Sequence, residues 1–219
     1  MPSAVAGEQV AGSSAGMLSR NEACYFARVS TSVLDKAISE GILESWPLIA
    51  HGKKQTFVRS ESVFLISVLH HVRLSGLEMS LRLKKQLMEG LADRMPDFSA
   101  GAVPAPAAWR WEIQISPVVV IRPDPDMIDA AERAGRYAAV RDRWVERNPE
   151  IFGGEPVIAG TRITVHGIAR RLDDGDAIET LLGDYPYLPR EAFEVAEAYA
   201  QANPRRGRPV KPWRDSAAA

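Results

Sequence analysis

The chain contains one cysteine, Cys24, and four histidines among 219 residues, so it can close no internal disulfide and build no Cys/His metal cage. Long apolar runs are missing too. The longest uncharged stretches are short, and ones such as 9–19 and 99–109 are also rich in Ala, Gly, Ser and Pro, which excludes a membrane-spanning helix in them. No basic residue precedes Arg20 and no apolar segment follows the N-terminus, so a secretory signal is not expected. With 16 Gly and 15 Pro the chain is neither collagenous nor of low complexity. What remains is 46% hydrophobic and 25% charged, enough for a packed core in one or two domains of a cytoplasmic, reducing-compartment protein.

The formal net charge of -1 is unevenly spread. Residues 18–95 carry 11 Lys and Arg against 8 Asp and Glu; residues 148–203 carry 4 against 10; residues 204–219 carry 5 against 1. The first region suits an anionic partner, the second opposes one, and the last is a basic appendage.

Residues 1–17 are small, polar and aperiodic, an arm expected to be disordered. Between 18 and 95 the pattern is helical and then hairpin-like. Ser19 and Glu22 form a capping-box signature ahead of Ala23, Phe26 and Ala27. Ser30 or Thr31 caps a second short helix with Val33, Leu34, Ala37 and Ile38 inward, and Gly41 stops it. Ile42–Ile49 and Thr56–Arg59 read as strands around a polar tip at 51–55, and a buried helix starts near Ser60. Another helix is expected from Glu78 to Leu91, with Leu77, Leu81, Leu87, Met88 and Leu91 on one side.

Residues 96–147 read as a linker followed by a β-ribbon, in which Trp109, Trp111, Ile113 and Ile115 alternate with polar residues, and then a helix from Asp126 to Val145. Exposed alternating Trp and Ile would seek a partner sheet, so these four are the expected dimerisation residues. In 148–203 a small hairpin signal, Val157-Ile158 and Ile163–Val165 around 159–162, precedes three short helices near 165–174, 176–183 and 189–202. The fold class expected is mainly α with minor β: a winged helix-turn-helix, a linking β-ribbon and a C-terminal three-helix domain, with 204–219 a basic flexible tail.

A helix-turn-helix presents the N-terminal residues of its second helix to base edges and phosphates, which calls for short polar side chains and a cation there. Ser30, Thr31, Ser32 and Lys36 supply them, and Lys53, Lys54 and Gln55 at the hairpin tip would reach the neighbouring backbone. The plainer alternative is that the hydroxyls only cap a helix and the lysines only solvate a loop. On LSRNEACYFARVSTSVLDKAISEGIL and FVRSESV, 18–95 resembles the MerR-like and excisionase-like winged helix-turn-helix modules, with a longer strand carrying Trp46-Pro47 as its departure.

Gly153, Gly154 and Gly160 permit positive φ, Pro156 fixes the entry of a strand, and Thr161-Arg162 can hydrogen-bond a turn. The Gly-Gly pair is no phosphate loop, because no Gly-Lys-Ser/Thr follows. Residues 153–158 and 160–165, with Asp184-Tyr185-Pro186 and Leu188, resemble the domain-of-unknown-function family numbered 433. That resemblance implies a VapB-like antitoxin of a type II toxin-antitoxin module, whose partner is a PIN-like ribonuclease toxin and whose operator DNA it represses. Such a nuclease gathers carboxylates around a metal, so tail arginines Arg205, Arg206, Arg208 and Arg214 would pair with them while Trp213 anchors the segment.

Other features point to no chemistry. His70 and His71 lie about 100° apart on a helix and cannot chelate one metal together. Cys24 sits among apolar neighbours, and Asp173, Asp174 and Asp176 lack the later ligands of a calcium loop. No nucleophile and base, metal set or phosphate loop is left, so neither an enzyme nor a bound cofactor is expected. A homodimer is expected, and the alternative to the antitoxin is a solitary MerR-like transcriptional regulator without a toxin.

Overall fold

The computed structural model describes residues 16–50, 53–96, 104–116 and 119–205, and the fold is mainly α with three small antiparallel sheets among them. Strand β1, Met17–Ser19, enters helix α1, Arg20–Ala27. Met17 is therefore part of a strand and not of an aperiodic arm. The capping box forms: the Glu22 backbone N–H donates to Ser19 Oγ at 3.4 Å, and the Ser19 N–H donates to Glu22 Oε2 at 2.7 Å. Helix α2, Thr31–Ser39, packs Leu34 and Ala37 inward.

Strands β2, Trp46–Ala50, and β3, Lys53–Arg59, complete a sheet in the order β1-β3-β2. The first of these starts later than the expected Ile42. At that point the Ile42 and Leu43 N–H groups both donate to Ala37 O, at 2.9 and 3.2 Å, and close the end of α2 around Gly41 at φ 64. Pro47 is accommodated because β2 is an edge strand.

Helix α3, Ser62–Leu74, carries the fully buried Phe64 and Ile66. Helix α4, Leu81–Ala92, starts after Ser80, whose hydroxyl accepts from Leu83 N–H at 3.3 Å. Leu77 thus precedes the helix, and both it and Leu81 are exposed, whereas Leu87, Met88 and Leu91 are buried. A 3-10 turn, Pro106–Trp109, leads to the hairpin of β4, Ile113–Ser116, and β5, Val119–Ile121.

Helix α5, Pro125–Trp144, buries a face of small residues, Ala130, Ala131, Ala134, Gly135 and Ala138, which lets α1 and α3 approach closely. It runs into β6, Val145–Glu146, which pairs with β7, Val157–Ile158. Helices α6, Val165–Asp173, α7, Ile178–Asp184, and α8, Arg190–Ala202, follow. Helix α8 lies against α6, α5 and α1 and buries Ala192, Phe193, Val195, Ala196 and Tyr199, so one hydrophobic cluster extends from Leu18 to Tyr199.

A buried polar network sits where α5 crosses α1. Glu22 and Arg141 are 2% and 5% exposed, and Arg141 Nη1 donates to Glu22 Oε2 at 2.8 Å and to Met17 O at 3.0 Å. Tyr137 donates its hydroxyl to the other Glu22 oxygen at 2.5 Å, and burial followed by the Glu22 charge hold that hydroxyl well above its ordinary pKa. Burial works against the charge of Arg141, but Glu22 and Asp142 outweigh it and raise its pKa further.

Candidate functional site

Arg28 closes α1 in the left-handed conformation, φ 53, and the Val29 N–H reaches back to Cys24 O at 3.1 Å. A residue with a Cβ is strained there, where helices usually place glycine. Its side chain is exposed and no carboxylate lies within ion-pair distance of it among the described residues. The chain then turns directly into α2, and Arg20, at the start of α1, holds Asp35 of α2 at 2.7 Å.

At the α2 N-terminus Ser30 is the cap by backbone conformation, but its hydroxyl makes no capping bond. Instead Ser30 Oγ and Ser32 Oγ lie 2.8 Å apart on the exposed side, beside Thr31. The Lys36 ammonium is 3.8 Å from Glu40, which Lys84 also approaches at 3.7 Å. An exposed i,i+4 pair of this kind contributes only about 0.3–0.5 kcal/mol, so Lys36 is readily released to a stronger anion.

Lys53, Lys54 and Gln55 do not form a tip. All three belong to β3, opposite Ala50, Ile49 and Leu48. Successive strand residues face opposite sides of a sheet, so exposed Lys54 and half-buried Gln55 cannot serve one phosphate together. The side chain of Lys53 lies outside the description. The Arg59 guanidinium sits 5.7 Å from the centre of the Trp46 ring on the same sheet.

In the C-terminal part the glycine-rich motif is architectural. Phe152, Gly153 and Gly154 follow one another at φ 49, 66 and 85, and Gly160 at φ 72 donates its N–H to Glu146 at 3.3 Å. Thr161 Oγ1 donates to Ile158 O at 2.7 Å and accepts from Ile163 N–H at 3.0 Å, which locks the turn. Arg162 is exposed on it. Pro156 accepts from Val165 N–H at 3.0 Å where α6 begins. Arg171 joins Asp176 at 2.6 Å to Asp184 at 2.7 Å, tying α6 to α7. His166 is held below its ordinary pKa by burial and by the Arg147 charge.

The tail leaves beside this motif, where Arg205 pairs with Glu155. Arg206, Arg208, Trp213 and Arg214 lie outside the described residues.

The proposed dimerisation residues are largely spent inside the chain. Trp109 is 6% exposed, packs with its ring tilted by 37° and centred 5.2 Å from that of Phe64, and donates its indole N–H to Glu132 at 3.2 Å. Trp111 meets Phe64 edge-on at 5.8 Å, and Ile113 and Ile115 pack on the same core. Trp109 and Trp111 are thus covered by Phe64 of α3, and β4, with Ile113 and Ile115, packs against α4, so much of the burial these side chains require is met within the chain.

Cys24 is buried, and burial pushes its thiol up to about 11. Asp174 and Asp176 are paired with Arg170 and Arg171, and no group of three or more His, Cys, Asp or Glu side chains is placed to hold a metal among the described residues. No described helix is long and apolar enough to cross a membrane.

Arg28 and the Glu22–Arg141–Tyr137 network were not foreseen from sequence. The only signal for Arg28 was the lack of a glycine between two helices that must turn sharply. The network joins residues more than a hundred positions apart, which no local pattern reveals.

A family model described as a protein of unknown function, DUF433, matches residues 145–200. The uncharacterized protein y4eO of Sinorhizobium fredii is 31% identical to this chain over 196 residues, covering 89% of this chain and 85% of that protein. No solved structure matches.

Proposed function

The chain belongs to the same family as this Sinorhizobium fredii protein, and from that premise we propose that it is a DNA-binding antitoxin: a winged helix-turn-helix module joined to a DUF433 unit that restrains a PIN-like ribonuclease toxin. The observation that carries the DNA half is the order α1, tight turn, α2, β2–β3 hairpin, α3. Hydroxyls stand exposed at the start of α2, and an arginine without an ion pair among the described residues is held in the turn before it. Ser30, Thr31 and Ser32 would meet base edges and phosphates, Lys36 would exchange Glu40 for a phosphate, and Arg28 and Lys54 would add backbone contacts.

The toxin half rests on the DUF433 motif and on the basic tail that leaves at Arg205. Arginines entering the carboxylate cluster of a metal nuclease would form charge-assisted pairs there and compete with the metal. One observation favours the solitary regulator instead. The apolar face of α8 is used against α1 and α5, which leaves the C-terminal unit less apolar surface for another protein.

Two experiments test the reading. Fluorescence anisotropy with the DNA upstream of the gene should give tight, salt-dependent binding that Ser30→Ala with Lys36→Ala weakens; equal binding to scrambled DNA rejects operator recognition. Truncation after Asn203 should abolish inhibition of the co-expressed ribonuclease while sparing operator binding. Retained inhibition rejects the role of the tail.

A further inference from the structure

A cavity of about 490 Å³ lies between the end of α2, the root of the β2–β3 hairpin, the start of α3 and helix α4, a size ordinary for a small-molecule site. Local structure shapes it. Gly41 turns the chain out of α2 at φ 64, and Ile42 and Leu43 fold back on Ala37 O, so the chain skirts this space before β2 begins. Lys85, Met88, Glu89 and Ala92 recur at i, i+3, i+4 and i+7, which puts them on one face of α4, and all four line the cavity. Beside it Lys84 reaches Glu40 at 3.7 Å and joins α4 to the end of α2.

The lining combines an apolar part with charges of both signs. Leu43 and Met88 are buried, and Met95 is half-buried. Lys85 is half-buried, and its ammonium stands 3.4 Å from the place that a Cβ on Gly41 would take. The exposed Arg59 guanidinium lies 5.7 Å from the centre of the Trp46 ring. Opposite charge comes from Glu61, half-buried before α3, and from exposed Glu44 and Glu89. These charges share one cavity, yet they form no ion pair with one another or with any other described residue. Glu61 accepts from the neighbouring Ser60 hydroxyl at 3.5 Å. Lys84, one position away, does find a carboxylate within the chain, which sets Lys85 apart from it.

We propose that this cavity binds a free aromatic α-amino acid as a zwitterion. Lys85 and Arg59 would draw its carboxylate, Glu61 and Glu89 its ammonium, and its ring would enter among Leu43, Met88 and Met95. A ligand of a single charge sign would meet like charge on the same lining, so the occupant needs both signs at once. The two methionine sulfurs favour a ring over an aliphatic chain. The inference stands without the DNA reading, because no group in it is assigned to DNA.

Isothermal titration calorimetry of the full chain with L-phenylalanine tests it. Three matched probes accompany it: 3-phenylpropanoate lacks the ammonium, phenethylamine lacks the carboxylate, and glycine lacks the ring. L-Phenylalanine should bind at least about tenfold more tightly than each, close to 1.4 kcal/mol. Lys85→Met should shrink the preference over phenethylamine and keep that over 3-phenylpropanoate. Glu61→Gln should do the reverse, a crossed pattern that a misfolded variant cannot give. No binding of L-phenylalanine in the millimolar range overturns the proposal, as does equal or tighter binding of any one of the three probes. So do variants that weaken every probe alike or leave all of them unchanged. The titration contains no DNA, so a chain that takes L-phenylalanine but ignores operator DNA would reject the DNA reading and leave this site standing.

Discussion

Replacing Arg141 by Met keeps the volume of the side chain and removes the cation that, among the described residues, stands at ion-pair distance from Glu22. The carboxylate would stay beneath α5 with Tyr137 and the Ser19 N–H as donors but without a compensating charge. Breaking one half of a buried ion pair costs about 3–5 kcal/mol. For a chain of this length each kcal/mol lowers Tm by about 2–4 °C, so the expected fall is roughly 6–20 °C. Removal of the Tyr137 hydroxyl by Phe should cost less, about 1–3 kcal/mol, because Arg141 still holds Glu22. Urea unfolding followed by circular dichroism measures both, with a constant m-value as the check that only stability has changed. Glu22→Gln combined with Arg141→Met should cost clearly less than the sum of the single changes, since no uncompensated charge remains. A loss below about 1 kcal/mol for Arg141→Met, or strict additivity in the double variant, would refute the assignment of α5 as the element that locks α1 in place.

Three further outcomes follow from single positions. Arg28→Gly should stabilise the fold by about 1 kcal/mol in thermal unfolding by relieving the left-handed strain, yet weaken DNA binding and reduce its salt slope by about one unit; loss of stability, or unchanged DNA binding, contradicts the role given to Arg28. Because His166 has a folded pKa below its unfolded value, the unfolded chain takes up the proton first, and stability should fall as pH drops below about 6.5; His166→Gln should flatten that slope, and an unchanged slope contradicts the burial argument. Cys24, with its thiol pushed up to about 11 and buried, should react with a disulfide reagent at pH 8 far more slowly in native protein than in denaturant; equal rates would mean that α1 opens freely.

Local signals in the chain were a reliable guide where a backbone requirement is met by nearby residues. Ser19 and Glu22, Gly41, and the succession of α6, α7 and α8 all read directly, because caps, glycine stops and Pro186 or Pro189 act within a few positions. The errors arose where distant parts of the chain decide. The end of α2 claims Ile42 and Leu43, whose apolar side chains read as the start of a strand. Trp109 looks like an exposed ribbon residue until α3 and α5 are seen to cover it. Strand β6 has only two residues, too few for any period, and exists because β7 pairs with it. Lys53, Lys54 and Gln55 were grouped as a tip because charge in sequence does not state which residues are already paired in a ladder.

The measurement closest to the central claim is affinity purification of the tagged full-length chain from its native cells, with mass spectrometry of what accompanies it. The account predicts one small PIN-like ribonuclease in stoichiometric amount, released when the chain is truncated after Asn203. Recovery of the chain alone, or with DNA and no such protein, would contradict the antitoxin reading and leave a solitary regulator.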